Sequence, residues 1–239
     1  MERKNNMKIG IIGAMESEVS VLKEAMKVDA VVTKAGMNFY EGMLQGTPAV
    51  VVQSGIGKVN AAMCVQILAD LFHITHVMNT GVAGSLNADL DIGDILVSEK
   101  AVQHDVDVTA LGYPLGQIPG LECREFAADA KMAEAAVSAC GRVNPDINVV
   151  KGCVVSGDQF ISSAEVKEHL ITEFHGDCAE MEGASVAQAA MLNGVPFIVI
   201  RAISDKADGS AEMDYPTFEE QAAEHCANMV LEFVKSFQG

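Results

Sequence analysis

Short apolar runs closed by glycine or a polar residue alternate with helix-periodic stretches from one end of the chain to the other, and that alternation constrains the fold most. Runs such as Lys8–Gly13 (KIGIIG) and Pro196–Asp205 (PFIVIRAISD) have the length and β-branched content of strands buried on both faces. A chain that intersperses such strands with helices folds as α/β, not as all-α or all-β. Its 239 residues, 49% of them hydrophobic, can fill one large core, and no repeat, linker or low-complexity segment divides them. A single α/β domain over residues 7–239 is expected. The polar residues 1–6 read as a short leader, without the apolar segment of a signal peptide.

The spacing predicts a first helix with Val19, Leu22 and Met26 on one face, and a second after Gly55-Ile56-Gly57, running to about Phe72. Further helices are predicted near Ala127–Cys140 and over Ala164–Phe174, Glu182–Asn193 and Thr217–Phe237. Strands are predicted near 8–13, 30–33, 38–44, 49–53, 76–79, 95–102, 149–155 and 197–203, with Gln45–Pro48 as a turn. Gly81–Gly84 reads as a glycine-rich turn. Asp105–Leu121, with several glycines and prolines and no period, reads as the one long loop, which in a compact domain is functional or interfacial.

A net charge of −17 repels phosphate backbones and anionic lipid, so nucleic acid and membrane are poor partners. No apolar stretch approaches the roughly 18 residues that span a bilayer. The six cysteines show no Cys-x-x-Cys pair and read as reduced, mostly buried thiols of a cytoplasmic protein.

Ligands of open α/β sheets gather at the carboxyl ends of strands. Four such ends carry polar or glycine-rich punctuation here: Gly13–Glu18, Gly81–Gly84, Ser156–Asp158 and Ser204-Asp205. Glu18 stands at a helix start, where an acid also serves the helix dipole. A phosphate site would place glycines with a Lys or Arg there; two carboxylates, Glu16 and Glu18, disfavour an anionic ligand. Glu180 and Glu182 lead a helix of small apolar residues and are expected to be only partly solvated, though acids at a helix start need no other reason. Arg201 interrupts an apolar strand and requires a buried carboxylate partner, Glu182 or Glu180. Asp205 falls at the end of that strand, as an active-site acid or as a turn aspartate.

Other motifs fail. Gly55–Val59 lacks the first glycine and the Ser/Thr of a phosphate loop, and Gly10–Gly13 is not a dinucleotide fingerprint. His73 and His76 have no third ligand at a usual spacing, so no metal is expected, and nothing in the chain calls for a cofactor. His104-Asp105 is expected to order the long loop.

Taken together, GIIGAMESEV, QSGIGKVNAA, NTGVAGS, HDVDVTALGYPLGQIPG, VSGDQFI, AEMEGAS and VPFIVIRAISD resemble, in order and spacing, the bacterial 5′-methylthioadenosine/S-adenosylhomocysteine nucleosidases of the purine nucleoside phosphorylase-like superfamily. The resemblance runs from Met7 to the final helix. It implies a central twisted mixed β-sheet flanked by helices, and hydrolysis of the N-glycosidic bond of methylthioadenosine and S-adenosylhomocysteine, with 5′-deoxyadenosine as a further substrate. Aminodeoxyfutalosine hydrolysis, a phosphorolytic relative and a catalytically silent nucleoside-binding module are the rival readings. Carried over by position, Glu18 resembles the acid that activates water and Asp205 the acid that protonates the purine. Met181 and Glu182 resemble the ribose contacts, with Arg201 steadying Glu182. Phe160 and Ile161 resemble the adenine pocket, and Ala83, Gly84 and Ser204 the wall that positions Asp205. Ile56 and Glu180 join the substrate-binding positions, and Phe218 resembles a lid. The resemblance also implies a homodimer in which Val108, Leu111 and Pro119 of the neighbouring subunit complete the 5′ pocket. Val82 and Ser85 depart from the Ser and Gly common at those positions, and Leu111 replaces a frequent Phe.

Overall fold

A computed structural model describes residues 7–237 and 239; the expected leader, residues 1–6, lies outside the described residues. The first half of the chain is β1 (Ile9–Gly13), α1 (Glu16–Glu24), β2 (Met26–Lys34), β3 (Met37–Leu44), β4 (Thr47–Gln53), α2 (Lys58–Phe72), β5 (His76–Ser85) and β6 (Ile95–Gln103). A 3₁₀ turn at Thr109–Leu111 interrupts the long loop. Then follow β7 (Glu125–Ala127), α3 (Ala130–Val143), β8 (Val149–Ser156), α4 (Ala164–Phe174), β9 (Cys178–Glu180), α5 (Gly183–Leu192), β10 (Phe197–Asp205) and α6 (Ala211–Ser236).

All ten strands join one mixed sheet in the order β10-β6-β8-β9-β5-β1-β4-β3-β2, with β7 on β6. Because β10 also pairs with β5, the path β10-β6-β8-β9-β5 closes on itself, while β1, β4, β3 and β2 extend from it as an open sheet. β1 is parallel to β4 and β5, and β5 to β10, so their carboxyl ends lie on one side. One apolar cluster binds α1, α3 and α6 to the sheet through residues such as Leu22, Met132, Val230 and Phe233; another seats α2 and α5 through Val65, Leu68, Val186 and Ala187. The carboxylate of Asp129 caps α3 by accepting the Met132 N–H at 2.9 Å.

Several boundaries differ from those expected. Met26 opens β2 instead of closing α1, and turns inward beside Leu22 in the same cluster. Thr47 and Pro48 belong to β4, so the turn before it is Gln45-Gly46 alone. Gly81–Gly84 is not a turn but the continuation of β5, kept extended by pairing with β10 along its length. The three-residue strands β7 and β9 were not expected, and α6 begins at Ala211, carrying Pro216 in its second turn. Five of the six cysteines are buried, Cys123 is half-buried, and all are unpaired.

Candidate active site

At the carboxyl end of β1 the chain turns into α1, and Glu18, in the first turn of that helix, folds back over the sheet. Its Oε2 accepts the N–H groups of Ala14 (2.6 Å) and Met15 (2.9 Å), and its Oε1 accepts that of Val82 on β5 (3.1 Å). The two readings of this acid therefore coexist: Glu18 caps its helix and also lines a cavity. Burial pushes its pKa up against the opposing pull of Arg201 and the three N–H groups.

Asp205 closes β10. The β10–β5 register slips between Ile203 and Asp205, a bulge that re-aims the side chain at the strand's end. Its Oδ1 accepts the Ala207 N–H at 2.8 Å and its Oδ2 the Ser204 hydroxyl at 3.0 Å. Burial raises its pKa, and Asp214 and Asp208 add to the rise, outweighing those two hydrogen bonds.

The third acidic group comes from β9 and the start of α5. Glu180 is bound by Arg201 Nη2 and the Ser156 hydroxyl, and accepts the N–H groups of Glu182 (3.0 Å) and Gly183 (2.8 Å). Arg201 is fully buried and also reaches Asn79 Oδ1 at 2.5 Å, while Glu182 lies 3.6 Å from it. Of the two expected partners, the guanidinium pairs with Glu180 most closely and with Glu182 at longer range. The cause is reach: the Glu180 side chain turns under the helix start toward β10, whereas Glu182 Oε1 is held the other way by the Gly57 N–H at 2.8 Å. Burial opposes the charge on Arg201, but Glu180, Glu182 and Glu18 outweigh it and hold the guanidinium ionised. Burial, together with Glu180, pushes Glu182 up to about 7, against the pull of Arg201 and Gly57.

These groups open onto one cavity of about 360 Å³. Of the expected site residues it is lined by Glu18, Ile56, Ala83, Gly84, Phe160, Ile161, Glu180, Met181, Glu182, Ser204 and Asp205. Arg201 stands behind Glu180 and does not line it. Phe218 is not among its lining residues: one helical turn beyond Tyr215 on α6, it lines another recess with Ile92, Lys206 and His225. Val108, Leu111 and Pro119 lie away from the cavity on the long loop, with Leu111 74% exposed. The sequence reading missed Tyr215, Met15 and Gln159 as lining residues. Tyr215 packs edge-on against Phe160, with ring centroids 5.6 Å apart, and its hydroxyl lies 3.3 Å from Met15 Sδ. Tyr215 precedes Thr217, where the final helix is expected to begin, so no helical period marks it. Val82, set aside as a departure, contributes its backbone N–H to Glu18, which its side chain does not affect.

Glycines on β5 set the spacing. A Cβ at Gly81, which faces Arg201 across the ladder, would stand 2.2 Å from Glu18 Oε1 and 2.3 Å from Arg201 Nη1; one at Gly84 would stand 2.7 Å from Asp205 Oδ1. Glu18 and Asp205 thus sit over points three residues apart on one strand, roughly 10 Å. Both carboxylates line the same cavity. Four carboxylates and no cationic side chain line the cavity among the described residues, so it suits a ligand that is neutral at rest and gains positive charge as it reacts.

Comparison with known proteins shows the family. A family model described as the phosphorylase superfamily matches residues 8–235. A 5′-methylthioadenosine/S-adenosylhomocysteine nucleosidase of Geobacillus kaustophilus is 44% identical over 226 residues, 94% of this chain and 95% of the relative. The crystal structure of the nucleosidase of that name from Neisseria meningitidis, in complex with methylthio-immucillin-A, superposes with a TM-score of 0.92 at 40% identity, covering 96% of this chain and 99% of that one. A futalosine hydrolase of Helicobacter pylori superposes with a TM-score of 0.91 at 37% identity, covering 97% of this chain and 98% of that one.

Proposed function

From the premise that this chain belongs to the phosphorylase superfamily, and within it to the 5′-methylthioadenosine/S-adenosylhomocysteine nucleosidases, we propose an assignment of its cavity to the steps of that reaction. The protein is a hydrolase that cleaves the N-glycosidic bond of these adenine nucleosides, releasing adenine and the thioribose. The observation that carries the assignment is the lining itself, four carboxylates with no cation among the described residues. Phosphorolysis would bring a phosphate dianion into that field, whereas water enters it at no electrostatic cost.

Adenine departs readily only when protonated on the free imidazole-ring nitrogen, and Asp205 supplies that proton. Burial raises its pKa, which favours the acid form relative to an ordinary aspartate. As the bond stretches, the sugar gains oxocarbenium character, stabilised by the field of Glu18 and Glu182. Glu182, at about 7 and oriented by the Gly57 N–H, takes the ribose hydroxyls beside Met181. Phe160 stacks on the purine with Tyr215 behind it, Ile161 offers its backbone, and Ala83, Gly84 and Ser204 hold Asp205 in place. Glu18 accepts the proton of the attacking water on the opposite face. The raised pKa of Glu18 brings it nearer the working pH, which improves a general base as long as it stays ionised. Opposed carboxylates separated by room for water give inversion at the anomeric carbon.

The exposed Leu111 and Pro119 and the half-buried Val108 support a homodimer in which the long loop completes the neighbour's 5′ pocket. Unpaired, mostly buried cysteines support a reducing, cytoplasmic setting, and the substrates support a role in methionine salvage and removal of methylation by-products. No helix among the described residues is long and apolar enough to cross a membrane. The likeness to a futalosine hydrolase favours one second reading, that aminodeoxyfutalosine is also cleaved. Incubation with methylthioadenosine, S-adenosylhomocysteine, 5′-deoxyadenosine and aminodeoxyfutalosine, each with and without phosphate, tests the proposal. Adenine and free thioribose at a phosphate-independent rate are expected; a sugar 1-phosphate as product would overturn it.

A further inference from the structure

Three charged side chains outside the cavity close a ring that joins distant parts of the chain. Lys58 Nζ, in the first turn of α2, donates to Asp105 Oδ1 at 2.5 Å and to Gln103 Oε1 at 3.0 Å. Asp105, at the root of the long loop, accepts the Asp158 N–H on its Oδ2 at 3.0 Å. Asp158, beyond the end of β8, accepts the Lys58 N–H at 2.8 Å and so completes the circuit. None of the three lines the cavity. Isolated surface ion pairs contribute little. This one differs: the Lys58 and Asp105 side chains are only 20% and 15% exposed, and each carboxylate also holds a backbone N–H.

The ring fixes the residue immediately before Lys58. Gly57 gives its N–H to Glu182 Oε1 at 2.8 Å, and apart from the distant guanidinium this is the one directional contact holding that carboxylate among the described residues. We propose that Lys58, Asp105 and Asp158 are positioning residues for the reaction: their ring sets the Gly57 N–H, which aims Glu182 at the sugar. The root of the long loop is thereby linked to the ribose end of the site. The inference rests on the reading of Glu182 as the sugar contact.

A double-mutant cycle tests it. With methylthioadenosine, Asp105→Asn should lower kcat/KM about tenfold, the size expected when a hydrogen bond to a carboxylate slackens, with most of the change in KM and little in melting temperature. In a Glu182→Gln background the same change should cost less than twofold, since the ring would act through a carboxylate already altered. Lys58→Met should repeat both results, and Lys58→Arg should recover part of the loss; this second pair serves if Asp105→Asn folds poorly. A full tenfold penalty in the Glu182→Gln background, or no penalty in the wild-type background, would overturn the proposal. Should wild-type protein release no adenine, the functional reading falls instead. The cycle is then run on calorimetric affinity for a carbocyclic analogue of the nucleoside, where equal penalties in both backgrounds, or none in the wild-type background, again overturn it.

Discussion

Gly81→Ala adds one carbon where Glu18 and Arg201 approach most closely. The new Cβ would stand 2.2 Å from Glu18 Oε1 and 2.3 Å from Arg201 Nη1, where ordinary contact is 3.4–4 Å, so at least one group must retreat by more than about 1 Å. Arg201 is fully buried and tied to Glu180 and Asn79, whereas Glu18 opens onto the cavity, so the carboxylate gives way. It then loses the Val82 N–H and no longer meets the water in line. A 1 Å misplacement costs about 100-fold and a lost hydrogen bond to a charged group a further ~1.5–3 kcal/mol, part of it the same loss, so kcat should fall by about 100- to 1,000-fold. KM should change little, because the purine and ribose contacts lie on other elements. Overpacking should lower stability by ~1–3 kcal/mol, which leaves the chain folded at 25 °C. Steady-state adenine release and thermal melts measure both quantities. In a Glu18→Gln background the alanine should cost less than a further tenfold in kcat. A folded Gly81→Ala protein with kcat within threefold of wild type would refute the close-approach argument.

Asp205→Asn should remove nearly all hydrolysis while nucleoside still binds, and Glu18→Gln should do the same, leaving a small measurable residual rate; wild-type turnover in either variant, read as adenine release, removes that residue from its role. In wild type, kcat/KM should fall as the pH drops through the raised pKa of Glu18, which must be ionised, and as the pH rises through that of Asp205, which must be protonated. Glu182 sits at about 7 in the folded chain against a usual 4.5, so its protonation stabilises the fold fully below that usual value, and the benefit is lost as the pH climbs through 7. Glu182→Gln should accordingly raise the melting temperature relative to wild type at pH 8, by the equivalent of at most ~3 kcal/mol, and not at pH 4; an equal effect at both pH values contradicts this. Arg201→Met strands Glu180 without its partner and should cost ~3–5 kcal/mol in denaturant unfolding, with a loss below 1 kcal/mol counting against the buried pair as described.

Much of this protein is written in local pattern. Alternating apolar runs determined the α/β class and most elements, because a strand or helix several turns long imposes its own periodicity. Chemistry was legible where residue type conflicts with surroundings. Arg201 within an apolar strand demanded a buried carboxylate, and acids in place of lysines at a strand's end argued against an anionic ligand. Contacts across the sheet were not legible. β7 and β9 are three residues each, too short to carry a period, and exist because β6, β8 and β5 offer them a ladder. Gly81–Gly84 carries turn-forming residues, yet pairing with β10 keeps it extended, and its missing side chains admit Glu18 and Asp205. Tyr215, not Phe218, reaches the cavity because of where α6 crosses it, and Arg201 takes Glu180 over Glu182 by the direction in which two neighbouring side chains leave the backbone. The sequence by itself determined which acids were available and that one cation must be buried with them. Only the tertiary structure decided which acid holds that cation and which are left facing the ligand, since that choice turns on differences of about an ångström between segments distant along the chain.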